Sequence, residues 1–403
     1  MSPFRFTTAG ESHGPTLLAV VEGVPAGVPL AAEEIDAELR RRQGGYGRGG
    51  RMRIESDRAE IVSGVRHGET LGSPVTLLVR NRDWENWTSA MSPSPVDNEG
   101  DDAAMRRVFF PRPGHADLVG ALKYDRTDAR DILERASARE TASRVAAGSV
   151  AKRLLAEVGI SIGSHVVALG GVVARVPDEL PEDLNAASDP SPVRCLDEEA
   201  EGRMIDAIDA AKRDGDTLGG VVEVVARGLP AGLGSHVSWD RKLDGRLAGA
   251  LMSIQAIKGV EIGLGFEGAA RPGSRVHDAI VLEGGRAALG GGYGRAGNNA
   301  GGLEGGITTG LPLVLRAAMK PISTLMQPLP TVDLRTGEVA EAVRERSDVC
   351  AVPAAGVVAE AMVALVLAAA LLEKVGGDSL AEVRRNLGGY VDRIRERGIF
   401  VAG

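Results

Sequence analysis

Residues 354–372 have the sequence AAGVVAEAMVALVLAAALL, a long apolar stretch near the C-terminal end of the printed sequence. Its nineteen residues carry a single charge, Glu360, and their number is close to the minimum that spans a bilayer. The stretch lacks the aromatic residues that flank membrane helices, while Pro353 suits a first helical turn and Gly376 suits a C-cap. The mean hydropathy of the whole chain is -0.03. We therefore expect a helix buried on all sides in a large soluble core, and no membrane partner.

The composition favours a globular protein that does not bind nucleic acid. The chain has 403 residues, of which 43% are hydrophobic and 25% charged, so it can build a large core and is not disordered. Acidic residues outnumber basic ones by 55 to 47, which gives a formal net charge of -8. Proteins that bind nucleic acid through its phosphates usually have the opposite balance, so we expect no nucleic-acid partner.

The cysteines and the N-terminal residues bear on location. Cys195 and Cys350 are too few for a disulfide framework, and no Cys/His spacing indicates a zinc site. The first residues, MSPFRFTTAGESHG, lack the apolar run of a signal peptide. These features predict a reducing, cytoplasmic location and no metal.

Apolar runs and helical periodicities alternate irregularly along the chain. Strands are predicted at Leu17–Val21, Val75–Val79, Val166–Ala168, Val221–Val225, Ile280–Leu282 and Leu313–Leu315. Helices are predicted at Ala31–Arg42, Glu140–Val158, Glu198–Arg213, Arg241–Ile254 and Pro353–Lys374. Because a regular βαβ alternation is missing, we predict an α+β fold rather than a doubly wound sheet. We expect a single domain over residues 1–403, with an exposed loop at residues 92–104.

The densest charge pattern is RRRQGGYGRGGRMR at residues 40–53, where six arginines are interleaved with five glycines. Guanidinium groups and bare backbone amides can converge on one anion. The alternatives are a solvated basic face and an RGG-type RNA tail, although such tails normally repeat and lie in disordered regions. This segment follows an amphipathic helix in an acidic protein, so we favour a binding site for a small polyanion.

Two histidines lie in loops of small residues. His13 lies in the segment AGESHGP at residues 9–15, and His115 lies in RPGHAD at residues 112–117. Histidine titrates near neutrality, so both suit proton transfer, and Asp117 can orient or charge the His115 ring. Each motif alone is a weak indication, because a loop histidine more often only stabilises a turn.

Three further segments are candidate ligand contacts. Residues 292–297, GYGRAG, match the dinucleotide pattern GxGxxG, but the following residues will not hold a helix, so a Rossmann site is rejected. Residues 137–141, SARET, open a long helix whose free amides favour an anion. Residues 346–348, RSD, precede the buried helix. A carboxylate beside a basic site can act as a base, although a surface ion pair is commoner.

Taken in order, these segments resemble the chorismate synthase family over nearly the whole chain. Three signatures carry the resemblance: GESHGPTLLAVVEGVP at 10–25, ERASARETASRVAAGSV at 134–150, and RSDVC at 346–350 followed by EAM at 360–362. Shorter matches lie between them: GYGRG at 45–49, RPGHAD at 112–117 with KY at 123–124, QAIKGVE at 255–261, GGLEGG at 301–306 and KPIST at 320–324. Each is modest alone, but all of them in the family's order are hard to obtain by chance.

The resemblance implies a reaction, a fold and an assembly. The reaction is the conversion of 5-enolpyruvylshikimate 3-phosphate to chorismate and phosphate, a 1,4-trans elimination in the shikimate pathway to aromatic amino acids. It implies a lyase that requires reduced FMN without net redox change, a β-α-β sandwich with helices packed between antiparallel sheets, and a homotetramer. We expect NADPH only as an indirect reductant, because the chain shows no nicotinamide-binding pattern and no added reductase module.

The resemblance also assigns site residues by motif. The substrate residues are Ser12, Arg42, Arg48, Arg51, Arg112, Arg139 and Arg346. The FMN residues are Ser137, Ala138, Arg139, Gln255, Ala256, Gly305, Lys320, Pro321, Ile322, Ser323, Thr324 and Arg346. The substrate carries a phosphate and two carboxylates, which bidentate arginines suit. Arg42 and Arg48 also match positions that the family offers to the NADPH phosphate, and we favour substrate there.

The resemblance finally suggests how protons are managed. His13 would protonate the leaving phosphate, and His115 would protonate the flavin near N1 and the C2 carbonyl. Asp348 would accept a proton from flavin N5, so that N5 can remove hydrogen from substrate C6. Two alternatives from other classes are a non-catalytic phosphometabolite or flavin-binding protein and an RNA-binding protein using residues 40–53. The three proton-transfer groups argue against the first, and the acidic total and few aromatics argue against the second.

Overall fold

The structure is a computed structural model, which describes residues 4–49, 56–97, 100–282, 293–343 and 348–398. The strands are β1 Arg5–Ala9, β2 Thr16–Glu22, β3 Ala59–Ser63, β4 Val65–Arg66, β5 Glu69–Thr70, β6 Val75–Arg80, β7 Ser161–Leu169, β8 Val172–Val173, β9 Gly220–Arg227, β10 Ile257–Ile262, β11 Ile280–Leu282, β12 Tyr293–Arg295, β13 Leu303–Glu304, β14 Ile307–Thr308, β15 Leu313–Met319, β16 Pro330–Val332 and β17 Val339–Glu341. The helices are α1 Ala32–Gln43, α2 Asp117–Tyr124, α3 Arg130–Ala136, α4 Thr141–Ala156, α5 Leu184–Ser188, α6 Glu198–Arg213, α7 Leu243–Met252, α8 Phe266–Ala269, α9 Val352–Val375 and α10 Leu380–Gly398.

Two antiparallel sheets frame the core. One has the strand order β1-β2-β6-β3, and the other has the order β10-β15-β9-β7-β8. In β2, Leu17, Ala19 and Val21 are buried while the residues between them are partly exposed, which is the period of two expected for a strand with one covered face. Leu17 pairs with Val79 and Val21 with Val75 in β6, so the covered face is apolar across both strands. The remaining described strands pair as short two-stranded sheets.

The long apolar helix α9 lies at the centre of the core. It packs against α4 and against β7 and β9, while α4 packs against β2 and β6, so these two helices separate the two large sheets. Among the described residues, α9 is the one helix long and apolar enough to cross a membrane, and 94% of its most apolar window is buried inside the structure. The prediction of a core helix is confirmed.

A glycine allows α4 and α9 to cross at close range. A Cβ built on Gly148 of α4 would overlap the Cβ of Ala361 in α9 and would stand 2.6 Å from its Cα. Most other positions of α4 that face the core are also small, such as Ala146, Ala147 and Ala151. This close packing fixes the positions of the N-terminal ends of both helices, where candidate site residues lie.

One charge is buried in the middle of α9. Glu360 is 0% exposed and is surrounded by Arg41 of α1 at 2.9 Å, Lys152 of α4 at 2.5 Å and Arg194 at 3.1 Å. Ser164 of β7 donates a 2.6 Å hydrogen bond to the same carboxylate. Burial raises the pKa of Glu360, but the three cations outweigh burial and hold the pKa well below its usual range. Glu360 therefore ties helices α1, α4 and α9 and strand β7 together.

The predicted α+β class and each predicted helix are confirmed, with small shifts at the ends. The helix expected from Arg241 begins at Leu243, because Trp239–Arg241 forms a short 3-10 turn first. The helices α2, α3, α5, α8 and α10 were not predicted; the first four have only 4–8 residues, and α10 mixes many charges with few apolar residues. Within residues 92–104, most of the described residues are exposed.

Candidate active site

A cavity of about 420 Å³ collects candidate residues from distant parts of the sequence. The predicted residues that line it are Ser12, His13, Arg42, Arg48, Arg112, His115, Ser137, Ala138, Arg139, Gln255, Ala256, Lys320, Ile322, Ser323, Thr324 and Asp348. Its volume lies in the range of roughly 300–1,000 Å³ that is usual for small-molecule sites. The structure therefore brings the residues of this group, from separated motifs, together around one cavity.

The cavity forms where the ends of three core helices meet. Arg42 lies in the last turn of α1, Arg139 lies just before α4, and Asp348 lies just before α9. The loop between β1 and β2 adds Ser12 and His13. The loop before α2 and the end of strand β15 with the segment after it complete the walls. They contribute Arg112, Gly114, His115, Ala116, Met319, Lys320, Ile322, Ser323 and Thr324.

Arg42 and Arg139 are buried and hold the walls of the cavity together. Arg42 donates from Nε to Thr141 Oγ1 at 2.9 Å and from Nη2 to the carbonyl of Ala138 at 3.1 Å. Arg139 donates to Asp57 at 2.6 Å and to the Oδ1 of Asn81 at 2.9 and 3.1 Å.

Asn81 links Arg139 to the loop that carries His13. Its amide group donates to the carbonyls of Gly14 at 2.6 Å and of Glu11 at 3.3 Å. Arg139 therefore lines the cavity and, through Asn81, also holds the loop that carries His13 in place. The sequence pattern did not indicate this second role.

Arg48 and Asp348 form an ion pair at the cavity. The Nη1 of Arg48 lies 3.0 Å from an Asp348 oxygen, and the other oxygen of Asp348 accepts the N–H of Gly49 at 2.6 Å. The carbonyl of Gly47 accepts the N–H of Val349 at 2.8 Å, which ties the two segments together. Gly47 has φ +85, and a Cβ there would stand 2.9 Å from Ile208, so this close approach requires glycine.

Asp117 holds both Arg112 and His115, as the sequence predicted for His115. Its two oxygens lie 2.8 Å from Nε of Arg112 and 2.5 Å from Nδ1 of His115. Arg112 also donates to Thr324 Oγ1 at 3.0 Å. Burial raises the pKa of the Asp117 carboxyl, but hydrogen bonds from His115 and Arg112 outweigh burial and lower the pKa well below its usual range. Asp117 is therefore an anion that fixes both ligand-facing side chains.

One wall of the cavity is apolar and built from small residues. Ala354, Ala355 and Val358 of α9 and Ala136 and Ala138 before α4 lie on it. Small side chains on two helices leave a surface against which a flat ring can pack.

Polar atoms at the edge of this wall can contact a ligand. The side-chain oxygen of Gln255 is buried, and no hydrogen-bond donor contacts it among the residues that the structure describes. The next residue, Ala256, has φ +68, a strained conformation for alanine that is more often kept at binding sites than elsewhere. Burial, together with nearby Lys258, lowers the pKa of Lys320, whose ammonium donates to the carbonyl of Gly114 at 2.9 Å.

Some predicted residues are not gathered at this cavity. Gly305 lies in the turn between β13 and β14, beside His236, and neither Gly305 nor Pro321 lines the cavity. Arg51 and Arg346 lie outside the described residues, and Gly292 of the rejected GxGxxG pattern does too. The arginine cluster at 40–53 is divided, because Arg41 points to Glu360 in the core while Arg42 and Arg48 line the cavity.

Residues that the sequence did not single out also belong to the site. Asp57 and Asn81 contact Arg139, and Glu134 contacts His13 at 2.8 Å. In the sequence, Glu134 is only the first residue of the signature at 134–150, and a glutamate in a short helix normally faces solvent. Clusters of three or more His, Cys, Asp or Glu residues that could hold a metal are not found within the described ranges.

Comparisons with known proteins all point to one family. A family model described as chorismate synthase matches residues 4–372. The chorismate synthase of Symbiobacterium thermophilum is 60% identical over 395 residues, which are 98% of this chain and 100% of that relative. The chorismate synthase of Pelobacter propionicus is 61% identical over 97% of this chain and 99% of its own length. A crystal structure of chorismate synthase matches with a TM-score of 0.75 and 46% identity over 98% of both chains.

Proposed function

Because the chain belongs to the chorismate synthase family, we propose that it converts 5-enolpyruvylshikimate 3-phosphate to chorismate and inorganic phosphate. The protein is accordingly a carbon–oxygen lyase of the shikimate pathway, which leads to the aromatic amino acids. The reaction breaks the C3–O bond, whose electron pair leaves with the phosphate, and removes one hydrogen from C6, overall as a proton. The electron pair of the C6–H bond stays in the ring and provides its second double bond.

The observation that carries this proposal is the meeting of arginines, histidines and a carboxylate around one cavity. The substrate is an anion with a phosphate and two carboxylates, and Arg42, Arg48 and Arg112 supply fixed guanidinium groups for such a ligand. We assign Arg42 and Arg48 to the substrate rather than to an NADPH phosphate. Ser12, Arg51, Arg139 and Arg346 remain proposed substrate contacts on the basis of the motifs.

The described residues fit reduced FMN, the cofactor that the family resemblance implies. The small apolar wall suits a flat ring, and the buried Gln255 oxygen offers an acceptor to a ligand N–H or O–H group. Lys320 and the hydroxyls of Ser323 and Thr324 suit its phosphate and ribityl groups. When bound, reduced flavin supplies the electron density that assists departure of the phosphate.

The residues proposed to hold the cofactor are Ser137, Ala138, Arg139, Gln255, Ala256, Lys320, Ile322, Ser323 and Thr324, with Gly305, Pro321 and Arg346 retained from the motifs.

Three groups of the chain are proposed to manage protons. His13 donates a proton to the leaving phosphate oxygen. His115 holds a proton at the N1 and C2-carbonyl edge of the ring, with Asp117 fixing its orientation. Asp348 accepts a proton at the N5 edge. In support, all three line one cavity, and each already has a hydrogen-bonded or ion-paired neighbour that limits its rotamers.

We further propose a single domain with the family's β-α-β sandwich, assembled as a cytoplasmic homotetramer. In support, α4 and α9 lie between the two large sheets. Large apolar side chains are exposed on strand β11 (Ile280 and Leu282), on α8 (Phe266) and in the 3-10 turn before α7 (Trp239), and subunit contacts commonly cover such side chains. Light scattering on the purified chain measures the assembly directly.

An anaerobic assay tests the proposed reaction. With dithionite-reduced FMN, chorismate and phosphate should appear in equal amounts, and omission of FMN should abolish both products. We expect NADPH and FMN without dithionite to give no turnover, because reduction comes from outside the chain. FMN binding without any chorismate formation would instead identify a non-catalytic flavin-binding protein.

A further inference from the structure

A buried carboxylate lies directly behind His13. Glu134 of α3 is 2% exposed, and its Oε1 lies 2.8 Å from Nδ1 of His13. Its Oε2 accepts the backbone N–H of His13 at 2.7 Å, and its backbone carbonyl accepts the N–H of Ser12 at 3.1 Å. One residue therefore fixes both the ring of His13 and the loop that carries it.

The charge on Glu134 determines which nitrogen of His13 carries the proton in this contact. Burial raises the pKa of Glu134, but hydrogen bonds from His13 and the charge of Arg130 outweigh burial and lower the pKa. A carboxylate only accepts hydrogen bonds, so Nδ1 of His13 must be the donor. The proton that His13 gives or takes during a reaction is consequently on Nε2, on the opposite side of the ring.

An indole ring fixes the plane of the His13 ring. Trp87 stacks on His13 with ring centroids 3.7 Å apart and planes 22° apart. The indole N–H donates to Asp83 at 2.9 Å. The guanidinium group of Arg106 lies over the Trp87 ring, 4.0 Å from the ring centroid.

Other charged groups also face this pair. Arg130 of α3 lies 3.1 Å from the Glu134 carboxylate and 5.2 Å from the centre of the Trp87 ring. Arg130 and Arg106 therefore oppose a positive charge on His13, while Glu134 and the face of Trp87 favour it.

We infer that Glu134 is the positioning residue for His13: its carboxylate holds Nδ1–H and stabilises the charged ring that donates a proton from Nε2 to the leaving phosphate. This inference rests on the proposed function, in which His13 is the proton donor. As the C3–O bond breaks, its electron pair leaves with the phosphate, whose oxygen takes the Nε2 proton. His13 is left neutral with Nδ1–H still on Glu134, and solvent restores the Nε2 proton after phosphate leaves.

The test compares Glu134→Gln, His13→Gln and the double variant in the anaerobic assay from about pH 6 to pH 9. Glu134→Gln, which removes the carboxylate charge, should lower kcat about tenfold or more near pH 8, with KM changed less than about threefold. The loss should shrink toward pH 6, because acid restores the charged ring. In the His13→Gln background, Glu134→Gln should cause no further loss, since Glu134 acts through His13.

A second buried Glu–His pair in the chain provides the matched control. Glu223 lies 3.0 Å from Nε2 of His165, both are 2% exposed, and neither lines the cavity. Glu223→Gln removes the same kind of buried carboxylate. It should lower thermal stability while the pH dependence of kcat stays that of the unmodified protein.

The outcomes separate this inference from the proposed function. If His13→Gln is impaired but Glu134→Gln keeps the unmodified kcat at every pH, the inference fails and the proton-donor role of His13 stands. A loss in Glu134→Gln that is equal at every pH, and is repeated in the His13→Gln background, shows a structural role and also overturns the inference. Full activity of His13→Gln overturns the proposed donor role itself.

A spectroscopic measurement covers the case in which Glu134→Gln does not fold. In the ¹⁵N NMR spectrum of the unmodified chain labelled at histidine, the His13 signals are those missing from His13→Gln. At high pH, neutral His13 should carry its proton on Nδ1. A neutral ring protonated on Nε2 would overturn the inference.

Discussion

At the scale of single residues, the charges that line the cavity contact one another before a ligand arrives. Arg48 pairs with Asp348, and Arg112 pairs with Asp117. An anionic substrate must compete with these carboxylates for the same guanidinium groups. The cost in affinity is offset by side chains that are already held in one orientation, so less conformational entropy is lost on binding.

Asp348 is the residue for which this arrangement makes the clearest prediction. Asp348→Asn removes the proposed base and the partner of Arg48, while the amide keeps the shape of the side chain. We expect kcat to fall by about 10²–10³ and FMN affinity to change by less than about threefold, because the flavin wall is untouched. Anaerobic steady-state assays and flavin fluorescence titrations measure the two quantities.

The control for this variant is a carboxylate of helix α6 that does not line the cavity. Asp209 accepts a 3.0 Å hydrogen bond from the hydroxyl of Tyr46, and Asp209→Asn should leave both kcat and FMN affinity unchanged. Unimpaired turnover of Asp348→Asn would remove Asp348 from the chemistry.

The sequence predicts only some of the residues that form the site. The motifs identify Arg42 and His13 correctly as neighbours in one cavity, although they lie far apart in sequence. The family motif assigned Arg42 to the site, but the charge pattern of residues 40–53 alone does not distinguish Arg42 from Arg41. Two adjacent helical residues point in directions about 100° apart, and packing directs Arg41 to Glu360 in the core. Glu134 was missed because its partner, His13, lies 121 residues away in the sequence.

At the scale of elements, the contact between α4 and α9 determines the shape of the site. Gly148→Ala places a methyl group against the Cα and Cβ of Ala361, so the helices must move apart. Overpacking costs about 1–3 kcal/mol, and helix propensity returns up to about 1 kcal/mol. We expect a net loss of about 1–2 kcal/mol in the free energy of unfolding, measured by urea denaturation.

Gly202→Ala in α6 is the matched control, because a Cβ there meets nothing within 4 Å. It should stabilise the protein by about 0.5–1 kcal/mol through helix propensity alone. Equal effects of the two substitutions would show that the close crossing of α4 and α9 does not occur.

The elements differ in how well their sequences identify them. Helix α9 was predicted almost to its ends, because nearly every residue is apolar and its capping residues are typical. The short helices α2 and α3 were missed, since helices of 8 and 7 residues depend on tertiary contacts rather than on propensity. Both carry site residues at their edges, so the shape of the cavity could not be derived from periodicity.

At the scale of the whole molecule, the buried Glu360 cluster joins the core helices to one another. Glu360→Gln leaves Arg41, Lys152 and Arg194 without their shared anion in the core. Breaking a buried ion pair in this way costs about 3–5 kcal/mol. We expect the urea midpoint of the variant to fall accordingly at pH 7.

The same helix offers a surface pair as the control. Glu373 of α9 pairs with Arg246 at 2.7 Å near solvent, and Glu373→Gln should change the free energy of unfolding by at most about 1 kcal/mol. A similar small effect for Glu360→Gln would show that the buried cluster does not hold the helices together.

The pH dependence of stability follows from the lowered pKa of Glu360. The pKa is lower in the folded chain than in the unfolded chain, where it is about 4.3, so the unfolded state binds more protons in acid. The stabilisation from Glu360 is therefore present above about pH 4.3 and is lost as the pH falls below this value. The difference in urea midpoint between the unmodified chain and Glu360→Gln should be constant from about pH 8 to pH 5 and should shrink in stronger acid.

In the proposed function, one cavity holds the phosphorylated substrate against the flavin. A crystal structure with oxidised FMN and 5-enolpyruvylshikimate 3-phosphate tests it most directly, because the oxidised flavin cannot complete the reaction. We predict the flavin ring along Ala354, Ala355 and Val358, and the leaving oxygen about 2.6–3.2 Å from Nε2 of His13. A flavin bound outside this cavity, or a phosphate out of reach of His13, would contradict the account.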